Sequence, residues 1–363
     1  MRPYLAKALL IFLGIVFPVF LLDFSVRLLP VAALPAPLSA LVEEMEIGTR
    51  QLYREDKELR HTIKRNTDLE FKHPEYTYRL KTNLNFTDAG FRGGTLGGPA
   101  WGLALGDSFT LGVGVNQEAT WVARLAALAK RDVINLGVSG YGPIQYTRAL
   151  EKYGIPLMPK IVFYTLYTND LDDCVRLERW SSGQQRKLSI KTYLRQNSVT
   201  FNLFLTLANL RKRRSRYIEV PSIGVKLIRR KLNDPYDLGK KQYHSAWRLA
   251  RQQIETAYEY SRRINATFVL LYFPSKEEVY WDLVKATAQG FTSFEGSRDK
   301  LRNDTAEFCA SRGFLCLDLS AALRARGSNG EQLYFPIDIH WNETGHRVVG
   351  DEIYKFLLDE KIL

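Results

Sequence analysis

Four short polar signatures follow apolar runs in this chain, and together they hold the residue types that acyl chemistry on a hydroxyl requires. Trp101–Leu105 ends on Gly106-Asp107-Ser108, and Val133–Asn135 leads through Leu-Gly-Val-Ser to Gly140. Ile161–Tyr167 runs into Thr168-Asn169-Asp170, and Asp338-Ile-His340-Trp341 precedes the last amphipathic segment. A serine hydroxyl is a weak nucleophile at neutral pH until a base takes its proton, and histidine is suited to that task. We read Ser108 as nucleophile, His340 as base, and Asp338 as the acid that holds the imidazole tautomer and stabilises the imidazolium. The tetrahedral oxyanion needs preorganised donors. The backbone N–H groups of Ser108 and Gly140 and the Asn169 amide would supply three, and losing one such donor typically costs about 3 kcal/mol. The plainer role for Ser108 is a helix cap, for which Ser and Asp are ordinary choices.

These signatures converge only if the elements before them lie side by side. Short apolar strands alternate with helical segments from Trp101 onward: strands at Trp101–Leu105, Val133–Asn135, Ile161–Tyr167, Thr267–Phe273 and Phe314–Asp318, and helices at Ala119–Lys130, Ile144–Tyr153, Tyr243–Asn265, Asp299–Ser311 and Gly345–Leu358. Such alternation predicts a parallel sheet covered on both faces, an α/β fold whose strand ends share one edge. In open sheets of this kind ligands bind at that edge. Upstream, the charged segment Leu41–Arg65 reads as an exposed helix, followed by an irregular stretch that ends in Asp88-Ala-Gly-Phe91-Arg92-Gly-Gly94.

The charge is regional. The 363-residue chain carries +12, yet residues 181–250 hold 16 Lys and Arg against three acids, so the remainder is nearly neutral. We expect this basic insert, with its RKRRSR run at Arg211–Arg216, to contact an anionic lipid surface or an acidic glycan, or to be a solvated face; nucleic acid is not expected. The N-terminus predicts location. Arg2 and Lys7 precede the uncharged apolar run Ala8–Leu22, which predicts an uncleaved membrane anchor over residues 1–34, or a signal peptide, with the following residues exported. Residues 35–95 then form a linker region and 96–363 the catalytic domain. Cys174, Cys309 and Cys316 lack the spacing of a metal site. Burial as small apolar side chains is the expected role of Cys309 and Cys316, pairing being open to them in an oxidising compartment. No cofactor and no metal are expected.

The four blocks, in this order, resemble the SGNH or GDSL hydrolase family, over about Trp101–Leu358 without the insert. The resemblance implies a flavodoxin-like three-layer sandwich and an ester substrate, such as an O-acetylated carbohydrate. One departure stands out. The family's acid usually precedes its histidine by three residues, but position 337 is Ile and the acid is Asp338. The Asp-x-His-Trp order is similar to that of the alginate O-acetylation proteins, as is the segment Pro274–Tyr280. Acyl transfer to a sugar hydroxyl therefore competes with hydrolysis, and a non-catalytic carbohydrate-binding or assembly role on the same fold stands behind both. By the same resemblance Lys276, Tyr280 and Arg92 are candidate substrate contacts. His346 is read as a packing residue, and Asp107 as a residue that ties down the nucleophile turn.

Overall fold

In the computed structural model the described residues are 17–28, 51–82, 88–93, 100–183, 198–210, 216–233, 241–286 and 290–363, with residues 14, 194 and 288 besides. The chain divides into two compact units, Met1–Tyr53 with Gln184–Ser215, and Arg54–Gly183 with Arg216–Leu363.

The second unit opens with two hairpins, β1 (Tyr53–Asp56) with β2 (Arg60–Ile63), and β3 (Asp68–His73) with β4 (Tyr76–Lys81). The exposed helix expected over Leu41–Arg65 is therefore corrected where that segment is described. Leu59 and Ile63 have the i, i+4 spacing of a helix face and are fully buried, but the backbone reverses before them. Asp56 Oδ1 accepts the Glu58 and Leu59 amides at 2.8 Å each, and Arg60 takes a left-handed φ of 69°. A side chain that satisfies turn amides in this way competes directly with helix. The stretch expected to be irregular holds β3 and β4, antiparallel with His73 opposite Tyr76.

The core is a five-stranded parallel sheet. It comprises β5 (Gly102–Leu105), β6 (Val133–Asn135), β7 (Ile161–Tyr167), β10 (Thr267–Phe273) and β11 (Leu315–Asp318), in the order β11-β10-β7-β5-β6. A small antiparallel pair, β8 (Tyr217–Val220) and β9 (Val225–Ile228), precedes β10. Every residue of β5 and β7 is buried, the pattern of strands covered on both faces. Counted from β5, the spatial order is second-first-third-fourth-fifth, that of flavodoxin-like sheets, whose order reverses at the edge between β5 and β7. Helix Trp121–Ala129 packs with Glu343–Asp359, while Lys241–Arg263 packs with Pro143–Ala149 and Asp170–Ser181. These two groups form the outer layers. Local chemistry sets the helix starts: Thr120 Oγ1 accepts from the Ala123 amide, Ser275 and Glu278 cap Lys276–Val284 reciprocally, and Asn342 Oδ1 accepts from Gly345 N.

Cys309 and Cys316 form a disulfide, where free buried thiols were expected. Helix Lys300–Arg312 ends at Gly313, whose left-handed φ of 68° turns the chain directly into β11. That brings the two Cα atoms within 6.3 Å, inside bridging range. Cys174 is free and buried.

In the first unit, helices Phe17–Leu28 and Val199–Leu210 pack together, and Asp23 Oδ1 accepts from Ser198 Oγ at 3.1 Å and Thr200 N at 3.0 Å. Among the described residues no helix is long and apolar enough to cross a membrane. Most of Ala8–Leu22 and of the Arg211–Arg216 run lies outside the described residues.

Candidate active site

Ser108 opens the one-turn helix Ser108–Leu111 directly beyond β5, and Asp107 caps it by accepting the Phe109 amide at 2.9 Å. The turn is tight. A Cβ on Gly106 would collide with the Thr110 and Thr165 side chains, and one on Gly137 with the Leu111 amide. Asn135 ties two strand-end loops together, donating to Thr110 O at 2.6 Å and accepting from Gly137 N at 2.9 Å.

The structure brings three predicted residues into line. Ser108 Oγ lies 2.7 Å from His340 Nε2, and His340 Nδ1 lies 2.6 Å from Asp338 Oδ1. A carboxylate can only accept here, so Nδ1 carries the proton and Nε2 faces the serine as an acceptor. Asp338 Oδ1 also accepts the backbone amide of His340 at 2.9 Å. That shared oxygen lets a two-residue spacing work without helical geometry. Burial alone would raise the Asp338 carboxyl, but the hydrogen bond and charge of His340 hold it far below the usual carboxylate range. The His340 ring packs against Phe109, centroids 5.0 Å apart.

The acid loop has outside supports, and here two expected substrate contacts are corrected. Lys276 is fully buried. Its Nζ donates to the carbonyls of Asp338 at 2.7 Å and of Phe335 and Ile337 at 3.1 Å each. Burial lowers this lysine to about 8, against the pull of Glu277, Asp338 and Glu75. Tyr280 is also buried, with its hydroxyl donating to Glu331 O and accepting from Leu333 N. Both side chains are among the buried residues of helix Lys276–Val284, which the Ser275–Glu278 capping box opens. Glu75 and Tyr76, which the sequence did not single out, complete the clamp. Glu75 accepts the amides of Ile337 at 2.6 Å and Asp338 at 2.7 Å, and the Tyr76 hydroxyl donates to Asp338 Oδ2 at 3.3 Å. The only sequence signal for them was the β3–β4 alternation.

Arg92 is corrected as well. It is fully buried, and its guanidinium donates to the carbonyls of Leu111, Gly112 and Val115 behind the serine turn. Burial lowers it to about 10, which leaves it charged and structural.

Of the expected oxyanion donors, Ser108 N sits at the first position of its helix, and Gly140 is exposed at the turn after β6 with a left-handed φ of 77°. The Asn169 amide is engaged elsewhere, donating to Asp173 Oδ2 at 2.9 Å, and it also faces the Asp107 carboxyl. Beneath the serine turn, Asp107 and Asp170 are buried. Burial, then the charge of Asp107, raises the Asp170 carboxyl well above the ordinary range, and burial raises Asp107. His346 is buried, and its Nδ1 accepts the Trp121 amide at 3.3 Å. Burial pushes that imidazole down to about 3, so it packs as a neutral ring. Among the described residues no cluster of His, Cys, Asp or Glu could hold a metal ion.

Residues 104–348 match the GDSL-like Lipase/Acylhydrolase family. No curated protein matches the sequence. Similar solved structures include the acetyl xylan esterase AlAXEase, 12% identical over 70% of this chain and 98% of that one, with a TM-score of 0.39. A gut microbial diltiazem-metabolizing enzyme is 13% identical over 71% of this chain and 47% of that one, at 0.42. An acetylxylan esterase from Geobacillus stearothermophilus is 11% identical over 72% and 95%, at 0.37.

Proposed function

The chain belongs to the GDSL-like lipase/acylhydrolase family of ester-cleaving hydrolases, and from that premise we propose that it is a serine esterase of O-acyl groups working through Ser108, His340 and Asp338. The observation that carries this is the unbroken line from Asp338 Oδ1 through the imidazole to Ser108 Oγ. His340 Nε2 takes the hydroxyl proton as Ser108 Oγ attacks the ester carbonyl. The Ser108 and Gly140 amides receive the oxyanion, and Asn169 joins them once its amide turns from Asp173. The alcohol leaves with the proton from Nε2, and water repeats the sequence to release the acid. The acyl group is an acetyl and the alcohol a carbohydrate hydroxyl; the support is the Asp-x-His-Trp order and the Pro274–Tyr280 segment. Those same features favour a second reading in which a sugar hydroxyl replaces water as the acceptor.

The protein is exported and held at a membrane by its N-terminus. Support comes from Arg2 and Lys7 ahead of the apolar run, from the exposed Phe17, Leu21, Leu22, Phe24 and Leu28, and from the Cys309–Cys316 disulfide, which oxidising compartments favour. The test is turnover of an aryl acetate, with and without a glycan acceptor, following acetate release and glycan mass. Ser108→Ala abolishes both activities and labelling by a serine-directed phosphonate while the fold persists. Undiminished labelling of that variant refutes the nucleophile, and glycan mass gain without acetate release assigns the transferase.

A further inference from the structure

Next to Asn169 the protein has a cavity of about 440 Å³ whose walls carry four cations. One wall is helix Asp170–Ser181, where Asp172, Arg176 and Arg179 share a face by their i, i+4, i+7 spacing. The facing wall brings Arg230 and Lys231 from the basic insert. Two of these cations have acidic neighbours: Arg176 pairs with Asp173, and Lys231 Nζ lies 3.7 Å from Glu277 and 3.4 Å from the Tyr167 hydroxyl. Among the described residues the guanidinium groups of Arg179 and Arg230 make no ion pair or hydrogen bond, the one bond at Arg179 being its main-chain carbonyl accepting from Ser182 Oγ. Here guanidinium forks without a partner among the described residues line one hollow. Such forks match carboxylate, sulfate and phosphate oxygens in bidentate fashion.

The hollow is joined to the reaction site. Asn169, which follows β7, lines it, and the Asn169 side chain faces Asp107, the residue next to Ser108. The Tyr167 ring, against which Lys231 rests, packs on Phe109, which in turn packs on His340. A substrate lying across the β5–β7 edge would therefore place one end at Ser108 and the other among the arginines.

We infer that Arg179 and Arg230, with Arg176 and Lys231, form a subsite for a fixed negative group on the substrate, so that the esters this enzyme prefers are those of anionic molecules. This inference rests on the Ser108 hydrolase proposal and adds the substrate's charge to it.

The experiment compares three aryl acetates on the full chain: 4-acetoxybenzoate, its neutral methyl ester, and 4-acetoxybenzenesulfonate. The native chain favours the anionic esters in kcat/KM by about tenfold, as two exposed charge pairs of about 0.7 kcal/mol each would give, and the preference lies in KM and shrinks as salt rises. A preference for carboxylate over sulfonate, or the reverse, identifies the oxyanion. In Arg179→Gln/Arg230→Gln the ratio falls to about one, while Arg262→Gln, on a distant helix face, retains it. Using the ratio separates a lost subsite from a general loss of activity. A parallel titration of the Ser108→Ala chain with 4-acetoxybenzoate and its methyl ester reads binding without turnover. Equal affinity for the two esters, or a ratio unmoved by the double substitution, overturns the subsite. Failure to hydrolyse any of the three esters refutes the esterase instead, and the binding arm still decides the subsite.

Discussion

Asp338→Asn isolates the acid's charge from its geometry, because the structure gives an amide somewhere to fit. The amide oxygen can occupy the Oδ1 position and still accept the His340 backbone amide and the Nδ1 proton, now 2.9 and 2.6 Å from that oxygen. The new NH₂ then faces the Tyr76 hydroxyl, which lies 3.3 Å from Oδ2 and can turn from donor to acceptor. The imidazole keeps its tautomer and place, and only the negative charge opposite the developing imidazolium is lost. The Asp338 and His340 side chains are 20% and 14% exposed, so water screens this pair weakly. Unit charges about 4 Å apart at an effective dielectric of about 20 interact by roughly 4 kcal/mol, which is about a thousandfold in rate. The assay is steady-state aryl acetate hydrolysis, and the loss falls in kcat with KM nearly unchanged. Asp318→Asn is the companion, since Asp318 also ends a strand on this edge. It caps Ser320 N at 2.8 Å and lies 3.7 Å from Arg302, so kcat should stay near native. A crippled Asp318→Asn beside a near-normal Asp338→Asn would refute the assignment. A loss for Asp338→Asn as large as the roughly 10⁴-fold of a wrong tautomer would show that Tyr76 does not turn.

Two further outcomes follow from burial and covalent linkage. Lys276 titrates at about 8 in the folded chain against an ordinary 10.5, so the folded state holds fewer protons between those values and gains stability as pH rises through them. The native chain should gain up to about 3 kcal/mol over Lys276→Met between pH 7 and pH 10 in urea unfolding; a gap that moves the other way refutes the charged burial. The Cys309–Cys316 bridge closes a short loop, spanning seven positions, and its removal by Cys309→Ala/Cys316→Ala should cost about 2 kcal/mol. Native stability that does not respond to a reductant would show that the bond is not formed.

The sheet was legible because its strands are uninterrupted apolar runs. Ile161–Tyr167 and Thr267–Phe273 are each seven residues that cannot be satisfied on a solvent-facing surface. Thr168-Asn169-Asp170 after the first of these, and Gly106-Asp107-Ser108 after the shorter run Trp101–Leu105, mark strand ends, so Ser108 and Asn169 came to one edge. The hairpins before residue 82 were not legible. Leu59 and Ile63 carry the i, i+4 spacing of a helix, and the turn that overrides it depends on the Asp56 side chain, which composition does not distinguish from a surface acid. Arg92, Lys276 and Tyr280 were misplaced for a related reason. A charged or phenolic residue near a catalytic motif reads as a substrate contact, and only the carbonyls that surround it reveal a structural latch.

Those latches explain why this chain tolerates its unusual acid. With acid and base three positions apart, one turn of helix could orient the carboxylate through i, i+3 proximity. Here the two residues are one apart from adjacent, in a loop between Tyr334 and Trp341, which pair as an isolated bridge. A loop of that size has too few internal bonds to hold a carboxylate within hydrogen-bond range of an imidazole, and catalysis needs that precision. The missing rigidity is supplied from two distant parts of the chain. Lys276, after β10, gathers the loop's carbonyls, and Glu75, at the tip of the β3–β4 hairpin, gathers its amides. Lys276 satisfies acceptors and Glu75 satisfies donors, so neither can replace the other. The N-terminal hairpin thereby braces the loop that carries Asp338 and His340 of the proposed triad, although it lies outside the residues that match the family.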